Sequence, residues 1–357
     1  MSTYIIAEIG QNHNGDFKIA KQLIDMATQP IFYKGERLKG CDAVKFTIRD
    51  LEHEMTAQLA NKRYNSKHRY ATKYGNHRAK LELSDDALYT LRAYAKSLEL
   101  DFILTLCQET LVKKWHMHCD KIKVASRDID NIPLLKALSK TNREIILSTG
   151  MTEDYSDVNI ACSVLTGRQV SILHCVSSYP TNYKDIGFEK MIHYRTDLYF
   201  QIGTHGWLDS KTRKIKSIGF SDHTTGILAG PIAVILGAKI IEKHITLDRD
   251  MKGTDHAGSL GPDGFYRYIR DIRNTETMMN KSYAGLCKQV KINKTKLGRS
   301  VAYKADRVKG EMIIEQDFIM ISPGGGLKWN KANKFVGKEL KCNVYKNNLV
   351  KENDFYE

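Results

Sequence analysis

Eight short runs of apolar and β-branched residues recur along the sequence, and a longer segment with helical periodicity separates most of them from the next. The runs cover residues 4–9, 43–47, 102–106, 121–124, 145–148, 170–174, 218–221 and 238–245. Amphipathic segments lie between them at 17–26, 85–97, 132–139 and 227–236, and 265–279 reads as a final helix. Apolar strands that alternate with helices are typical of a parallel sheet. Eight of them within about 245 residues predict a (β/α)8 TIM barrel.

A doubly wound open sheet is the alternative architecture. It would require a Gly-x-Gly-x-x-Gly turn after the first strand, and Glu8-Ile-Gly-Gln-Asn-His-Asn-Gly does not supply one. Two connections are unusually long: residues 29–40 form an excursion before the second strand, and residues 49–83 follow that strand. Because loops after barrel strands form the active-site face, we expect 49–83 to cover substrate.

The carboxyl-terminal part has a different texture. Residues 286–298 include a basic connector, and residues 299–357 contain short strands and turns such as Ser322-Pro-Gly-Gly-Gly. We therefore predict three segments: a barrel domain at 1–285, a linker at 286–298 and a small, loop-rich domain at 299–357.

Composition excludes several classes of protein. The formal charge is +14, but the basic residues are spread along the chain without an Arg-rich tract, so we expect a solvated surface and no nucleic-acid partner. No stretch approaches the roughly 20 apolar residues of a membrane helix, and the amino terminus does not resemble a secretory leader. The 7 cysteines include no Cys-x-x-Cys pair, which indicates a reduced, cytoplasmic protein.

Polar residues stand at or just after the carboxyl ends of all the predicted strands. In a barrel these positions converge on one mouth. Lysines and hydroxyls together suit a phosphate or carboxylate dianion, although Lys45 or Lys123 could instead form the Schiff base of an aldolase. The residues are Glu8, Lys45, Thr105, Lys123, Ser126, Ser148, His174, Ser177, Ser221, His223 and His244.

Two of these histidines suggest a metal site. His223 and His244 end neighbouring strands, so their imidazoles could share one divalent cation, with water completing the shell. His13, in the loop after the first strand, could be structural or functional. The role of His77 stays open. Six other histidines read as surface residues: His53, His68, His116, His118, His193 and His205, the last of which lies outside the residues that the structure describes.

Seven motifs stand in order along the chain and together identify a family. They are Glu8-Ile-Gly-Gln-Asn-His-Asn-Gly, Val44-Lys-Phe, Lys123-Val-Ala-Ser, Ile145-Ile-Leu-Ser-Thr-Gly-Met, Leu173-His-Cys-Val-Ser-Ser-Tyr-Pro-Thr, Gly219-Phe-Ser-Asp-His-Thr and Ile241-Glu-Lys-His-Ile-Thr. The chain resembles the N-acetylneuraminate (sialic acid) synthase family, which includes the spore-coat polysaccharide synthases. The segment from Arg299 resembles the antifreeze-like (SAF) domain of that family.

The resemblance implies a metal-dependent condensation of phosphoenolpyruvate with an N-acyl-hexosamine aldehyde, giving a nine-carbon 2-keto-3-deoxy acid and phosphate. Glu8 matches the catalytic carboxylate, and His223 and His244 match the ligands of manganese or magnesium. Asp255 and Tyr179 match the acceptor region. The resemblance also implies a domain-swapped homodimer. The positions that match the phosphoenolpyruvate site are Lys45, Thr105, Lys123, Ser126, Ser148 and Ser221.

Three departures from sialic acid synthases concern the acceptor. Thr47 stands where those enzymes have glutamine, Ser177 stands where they have asparagine, and Ser322 replaces the arginine of an Arg-Pro-Gly motif that reaches the N-acyl group. We therefore do not assume that N-acetylmannosamine is the acceptor. A Schiff-base aldolase, a metal-dependent sugar isomerase and a non-catalytic carbohydrate-binding protein remain alternative functions.

Overall fold

The computed structural model describes residues 2–200, 214–280 and 285–356. It divides into two compact units, the first ending at Asn280 and the second following it. The strands are β1 (Tyr4–Gly10), β2 (Ile31–Tyr33), β3 (Glu36–Leu38), β4 (Ala43–Ile48), β5 (Asp101–Leu106), β6 (Lys121–Val124), β7 (Glu144–Ser148), β8 (Gln169–His174), β9 (Lys214–Asp222), β10 (Ile240–His244), β11 (Ser300–Tyr303) and β12 (Phe318–Ile321). The helices are α1 (Phe17–Ala27), α2 (Ala57–Asn61), α3 (Tyr74–Ala79), α4 (Asp85–Ser97), α5 (Glu109–Trp115), α6 (Ile132–Ser139), α7 (Tyr155–Val164), α8 (Phe188–Phe200), α9 (Ala229–Ile235), α10 (Pro262–Met279), α11 (Lys288–Leu297) and α12 (Trp329–Ala332).

The first unit is a closed parallel barrel. Its strands are hydrogen-bonded in the order β1-β10-β9-β8-β7-β6-β5-β4, and β4 pairs with β1 to close the ring. The prediction of a (β/α)8 barrel is confirmed. The runs marked the strands well, but β9 begins at Lys214, four residues before the predicted start.

The inner face of the barrel changes from apolar to polar along several of its strands. Ile6, Ala43, Ile103, Ile146, Leu173 and Ile240 form a buried cluster inside the barrel. Because side chains alternate between the faces of a strand, the next inward position lies two residues further on. That position holds Glu8 after Ile6, Lys45 after Ala43, and Glu242 after Ile240. An apolar floor therefore supports a polar cavity at the carboxyl ends of the strands.

The two long connections have structure of their own. Residues 29–40 contain the antiparallel β2–β3 hairpin, which is held to α10 by a hydrogen bond from the Phe32 amide to the Tyr266 hydroxyl (3.0 Å). Residues 49–83 contain α2 and α3 and lie after β4. Both segments are ordered excursions from the barrel.

The second unit has a small core of its own. Strands β11 and β12 pair antiparallel, and Val301, Tyr303, Phe318 and Leu340 are buried in one apolar cluster. The predicted linker at 286–298 is largely helical, as α11. The residues of α11 include neither glycine nor proline and are rich in lysine, which favours a helix.

Two expectations from composition can be compared with the structure. Within the described ranges, none of the helices combines the length and apolar character that a membrane span requires. The cysteines are free thiols, buried at Cys107, Cys119, Cys162 and Cys175 and exposed at Cys287 and Cys342.

Candidate active site

A cavity of about 330 Å³ opens at the carboxyl ends of the barrel strands. The structure brings every predicted catalytic, metal-binding and substrate-binding residue to its wall, while their roles remain predictions. These residues are Glu8, Lys45, Thr105, Lys123, Ser126, Ser148, Ser177, Tyr179, Ser221, His223, His244 and Asp255.

Two buried ammonium groups lie at the base of the cavity. Lys45 Nζ is 2.6 Å from Glu8 Oε2 and donates to Thr105 Oγ1 at 3.0 Å, and Lys123 Nζ donates to Ser148 Oγ at 2.6 Å. Burial lowers the pKa of Lys123, and the positive charge of Lys45 adds to this effect. For Lys45 the carboxylates of Glu242 and Glu8 outweigh burial, so its pKa is raised. An anion bound here would compensate the charge that the two lysines place at the base.

A glycine keeps the wall beside these lysines open. The Gly150 amide donates to Ser126 Oγ at 2.9 Å. A Cβ at Gly150 would lie 2.6 Å from Ser177 Oγ and 3.0 Å from Ser126 Oγ, closer than side chains tolerate. Ser177 Oγ is buried and has no hydrogen-bond partner within the described part of the chain. The Gly150 amide thus orients the Ser126 hydroxyl, and the hydroxyls of Ser126 and Ser177 form a cradle that suits an anionic oxygen.

The cavity contains a second buried carboxylate that the sequence reasoning missed. Glu242 accepts a hydrogen bond from Ser221 Oγ at 2.7 Å and lies 3.7 Å from Lys45 Nζ. Burial would raise its pKa, but Lys45 and Lys123 outweigh burial and lower it. For Glu8 burial prevails and raises the pKa. One carboxyl group that is readily protonated therefore lies beside one that stays ionised, an arrangement suited to proton transfer.

His223 and His244 lie close together on the cavity wall, with ring centroids 5.6 Å apart. His223 Nδ1 is 2.7 Å from the Val176 carbonyl, which can only accept, so Nδ1 carries the proton. His223 Nε2 lies 3.4 Å from Ser221 Oγ, which donates to Glu242, so the Nε2 lone pair stays available to a ligand. His244 Nδ1 is buried and, among the residues described, has no hydrogen-bond partner. Burial lowers the pKa of both rings, that of His223 to about 4, which keeps them neutral as metal ligands must be.

The donor set fits a divalent cation held by two imidazoles. In the described ranges, no group of three or more His, Cys, Asp and Glu side chains could hold a metal. The remaining coordination positions would therefore belong to water or substrate, as in an open catalytic site. The Tyr179 ring lies 4.2 Å from the His223 ring, centroid to centroid, and covers this side of the cavity.

A buried ion pair lies on the outer face of the barrel, directly behind the two histidines. Lys243 Nζ is 3.0 Å from Asp222 Oδ2 and donates to the Thr224 carbonyl at 2.6 Å. The Tyr268 hydroxyl also donates to Asp222 Oδ2, at 2.9 Å. Asp222 precedes His223 and Lys243 precedes His244, so this network fixes the backbone that carries both imidazoles.

The loop that carries Asp255 is tied to the excursion at 49–83. The Tyr70 hydroxyl donates to the Lys252 carbonyl, and the Gly253 amide donates to His68 Nδ1 at 3.3 Å. His77, whose role was open, is buried and stacks between Tyr64 and Tyr70 at centroid distances of 4.6 and 6.0 Å. His77 therefore supports the excursion at 49–83, which contacts the loop that brings Asp255 to the cavity wall.

Two other histidines lie elsewhere than the cavity wall. The prediction that His174 points into the mouth is wrong, because Leu173 takes the inward position and His174 faces outward. There its Nε2 lies 2.6 Å from the Ile186 carbonyl. His13 is buried, and its Nδ1 accepts a hydrogen bond from the Gly15 amide at 3.0 Å, which gives it a structural role in the loop after β1.

Comparisons with known proteins identify the family to which the chain belongs. A sequence model described as the NeuB family matches residues 36–283. The N,N'-diacetyllegionaminic acid synthase of Legionella pneumophila is 31% identical over 354 residues, covering 96% of this chain and 92% of that protein. The human N-acetylneuraminate-9-phosphate synthase is also 31% identical, covering 98% and 91%.

A solved structure supports the same assignment. That of the N-acetylneuraminic acid synthetase from Leptospira borgpetersenii, in complex with citrate, has a TM-score of 0.63 at 26% identity and covers 82% of this chain and 90% of that one. The family predicted from the motifs is confirmed: the chain belongs to the NeuB family of enzymes.

Proposed function

We propose that the protein is a carbon–carbon bond-forming transferase that condenses phosphoenolpyruvate with an N-acyl-hexosamine aldehyde. The products are a nine-carbon 2-keto-3-deoxy sugar acid and inorganic phosphate. The observation that carries the proposal is one cavity lined by two lysines, several hydroxyls, a pair of carboxylates and two neutral histidines.

Phosphoenolpyruvate occupies the base of the cavity. Its anionic groups match the ammonium groups of Lys45 and Lys123, the Ser148 hydroxyl, and the cradle formed by Ser126 and Ser177. These donors are held in place before substrate arrives, so little reorganisation accompanies binding. The nucleophilic C3 of the enol then faces the aldehyde on the side of His223 and His244.

Glu8 accepts and returns the proton that the reaction transfers. The enol C3 attacks the aldehyde carbon, forming the new C–C bond and leaving a cation at C2. Glu8 takes one proton from a water molecule as the water oxygen adds to C2, and passes that proton to the alkoxide left on the former aldehyde oxygen. The bond between C2 and the bridging oxygen of the phosphate then breaks, the C2 carbonyl forms, and phosphate leaves with the remaining proton of the C2 hydroxyl. The raised pKa of Glu8 brings it closer to neutrality, which suits a group that must take up a proton and return it.

The predicted cofactor is manganese or magnesium, held by His223 and His244. When bound, such a cation polarises the aldehyde oxygen as a Lewis acid. The chain's own contribution is to keep both imidazoles neutral by burial and to fix His223 through the Val176 carbonyl. To test this assignment, divalent cations are removed with a chelator, and both the metal bound to the protein and the turnover are then measured.

The acceptor lies toward Tyr179 and Asp255. Asp255 lines the cavity on the loop after β10, where its carboxylate can accept hydrogen bonds from sugar hydroxyls. The relatives are named for different sugar acids, and Thr47 and Ser177 depart from the sialic acid synthase pattern. The proposal therefore extends to the class of N-acyl-hexosamines and leaves the individual sugar to experiment.

A purified full-length protein tests the proposal. Inorganic phosphate is measured with phosphoenolpyruvate, a panel of hexosamines and a divalent cation, each omitted in turn. We expect release only when all three are present. Glu8→Gln should lower turnover by roughly 100-fold or more. Glu144→Gln is the matched control, because Glu144 pairs with Lys121 and Lys216 at the amino end of β7, far along the strand from the cavity. Normal turnover in Glu8→Gln would refute the assigned role.

An aldolase that uses Lys123 is the second candidate. The lowered pKa of Lys123 would favour the neutral amine that a Schiff base requires. Borohydride reduction in the presence of pyruvate separates the two functions. A covalent adduct on Lys123 would support the aldolase, whereas the condensation that we propose forms no imine.

We also propose that two copies form a homodimer in which the small unit of one chain, an antiparallel two-stranded module like the SAF domain, serves the barrel of the other. This proposal rests on the sequence resemblance. Size-exclusion chromatography with light scattering checks the dimer, and a monomeric, fully active protein would contradict it.

A further inference from the structure

Three arginines line the cavity and have no part in the function proposed above. They are Arg49, Arg78 and Arg127. Arg49 is the first residue after β4 and lies four residues beyond Lys45, roughly 13 Å further along the chain if it stays extended. The side chain of Arg127 is 34% exposed, against 5% for that of Lys45. The arginines therefore lie at the rim, above the base where the lysines lie.

The arginines belong to one hydrogen-bonded arc. Arg49 and Arg127 both contact Glu54 Oε1, Arg127 at 2.7 Å. Arg78 Nη1 donates to Gln11 Oε1 at 2.6 Å, and Gln11 Nε2 donates to Glu82 Oε1 at 2.9 Å. Glu82 Oε2 in turn accepts from the Arg49 amide at 3.3 Å. The arc thus holds three guanidinium groups around one side of the rim.

The arc directs positive charge toward the cavity. Of its described residues, the arginines and Gln11 line the cavity, whereas Glu54 and Glu82 lie behind them. Arg49 Nε is buried and makes no hydrogen bond in the ranges that the structure describes, although it lies 3.9 Å from Glu82 Oε1. Burial also raises the pKa of Glu82 to about 7, so this carboxyl offsets less positive charge near neutrality than an ordinary glutamate does.

We propose that this rim is a second anion site, and that it binds a phosphate monoester at the end of the acceptor sugar remote from the aldehyde. This inference rests on the proposed function. Planar guanidinium groups match the oxygens of a phosphate and form paired hydrogen bonds with it. The charges of phosphoenolpyruvate are already met at the base by Lys45 and Lys123. The aldehyde must reach the base to react, so the opposite end of the sugar extends toward the rim.

A matched pair of acceptors tests the inference. Phosphate release from phosphoenolpyruvate is measured with N-acetylmannosamine and with its 6-phosphate, in the unaltered protein and in Arg127→Gln, Arg78→Gln and Arg127→Lys. Arg267→Gln is the control, because Arg267 is 54% exposed on α10 and pairs with Asp263. Arg49 is not substituted, because it makes many contacts and its replacement would disturb folding more than that of the other two arginines.

We expect a higher kcat/KM for the phosphorylated sugar in the unaltered protein. Arg127→Gln and Arg78→Gln should each lower that value by about tenfold or more, while leaving kcat/KM for the unphosphorylated sugar within about twofold. Arg127→Lys keeps the charge and should retain part of the preference. The KM for phosphoenolpyruvate should stay unchanged.

Three outcomes would overturn the inference. Equal use of the two sugars, with arginine variants that treat them alike, would show that the arc only supports the loop, and the proposed function would stand. A raised KM for phosphoenolpyruvate in the arginine variants, without an effect on acceptor preference, would assign the arginines to the first substrate. Absence of phosphate release with either sugar and with the wider hexosamine panel would refute the proposed function itself.

Discussion

Removal of the Tyr268 hydroxyl should destabilise the barrel and disturb the two candidate metal ligands. Tyr268 is fully buried and donates at 2.9 Å to Asp222 Oδ2, which also pairs with the buried Lys243. A hydrogen bond to a charged group contributes roughly 1.5–3 kcal/mol. With a shift of about 2–3 °C per kcal/mol for a unit of this size, Tyr268→Phe should lower the melting temperature by about 3–9 °C.

Differential scanning calorimetry of the full-length chain measures this shift in the transition of the barrel unit. Tyr266→Phe is the control on the same helix, because Tyr266 is only partly buried and its hydroxyl bonds, within the part of the chain that the structure describes, to the backbone of Phe32 at 2.9 and 3.0 Å. We expect that variant to lose roughly 1 kcal/mol or less. Binding of Mn²⁺, followed by electron paramagnetic resonance, should weaken in Tyr268→Phe and stay unchanged in Tyr266→Phe. Equal melting temperatures and equal affinities in the two variants would refute the positioning role.

Three further predictions concern the cavity. Because burial raises the pKa of Glu8, its carboxylate should become protonated, and so unable to accept a proton, at a higher pH than an ordinary glutamate. When kcat/KM is measured from about pH 5 to 9, it should therefore fall on the acid side well above pH 4.5. A flat profile down to pH 5 would contradict this prediction. Gly150→Ala should raise the KM for phosphoenolpyruvate by about 5- to 30-fold, because the new methyl group would crowd Ser126 and Ser177. The control is Gly261→Ala, which should leave that KM unchanged because a Cβ at Gly261 would meet open space. Ser322→Arg should change the relative rates with a panel of acceptor sugars more than the KM for phosphoenolpyruvate, and an unchanged panel would show that the small domain does not read the acceptor.

Much of the fold and the base of the cavity could be predicted from the sequence, because both follow from strand periodicity. Apolar runs fixed the strands, and polar residues at their ends marked the inward positions above the apolar floor. Glu242 could have been predicted in the same way, because it lies two residues after Ile240 and two before His244 and so occupies an inward position of the strand. Glu242 was omitted because only the histidine of this strand was considered. The same alternation, counted from the inward-facing Leu173, would have predicted that His174 faces outward.

The rim could not be predicted in the same way. Arg49 and Arg127 lie in the connections after β4 and β6, and Arg78 lies in the short helix α3 of the 49–83 excursion. In such connections the direction of a side chain depends on the path of the backbone and not on the repeat of the barrel strands. Their contacts join residues far apart in sequence, such as Arg78 with Gln11. The helix at Lys288–Leu297 was missed for another reason, because a run of lysines reads as a solvated connector even where its helix propensity is high.

The contacts of Tyr70 with Lys252 and of His68 with Gly253 have a consequence for protein engineering. They join a segment near the start of the chain to one near the end of the barrel. Both contacts use side chains of the first segment and backbone atoms of the second, so a chimera that replaces His68 and Tyr70, or that changes the backbone path at Lys252 and Gly253, would lose them and leave Asp255 poorly supported. Transfer of a new sugar preference into this scaffold should therefore require both segments to be exchanged together.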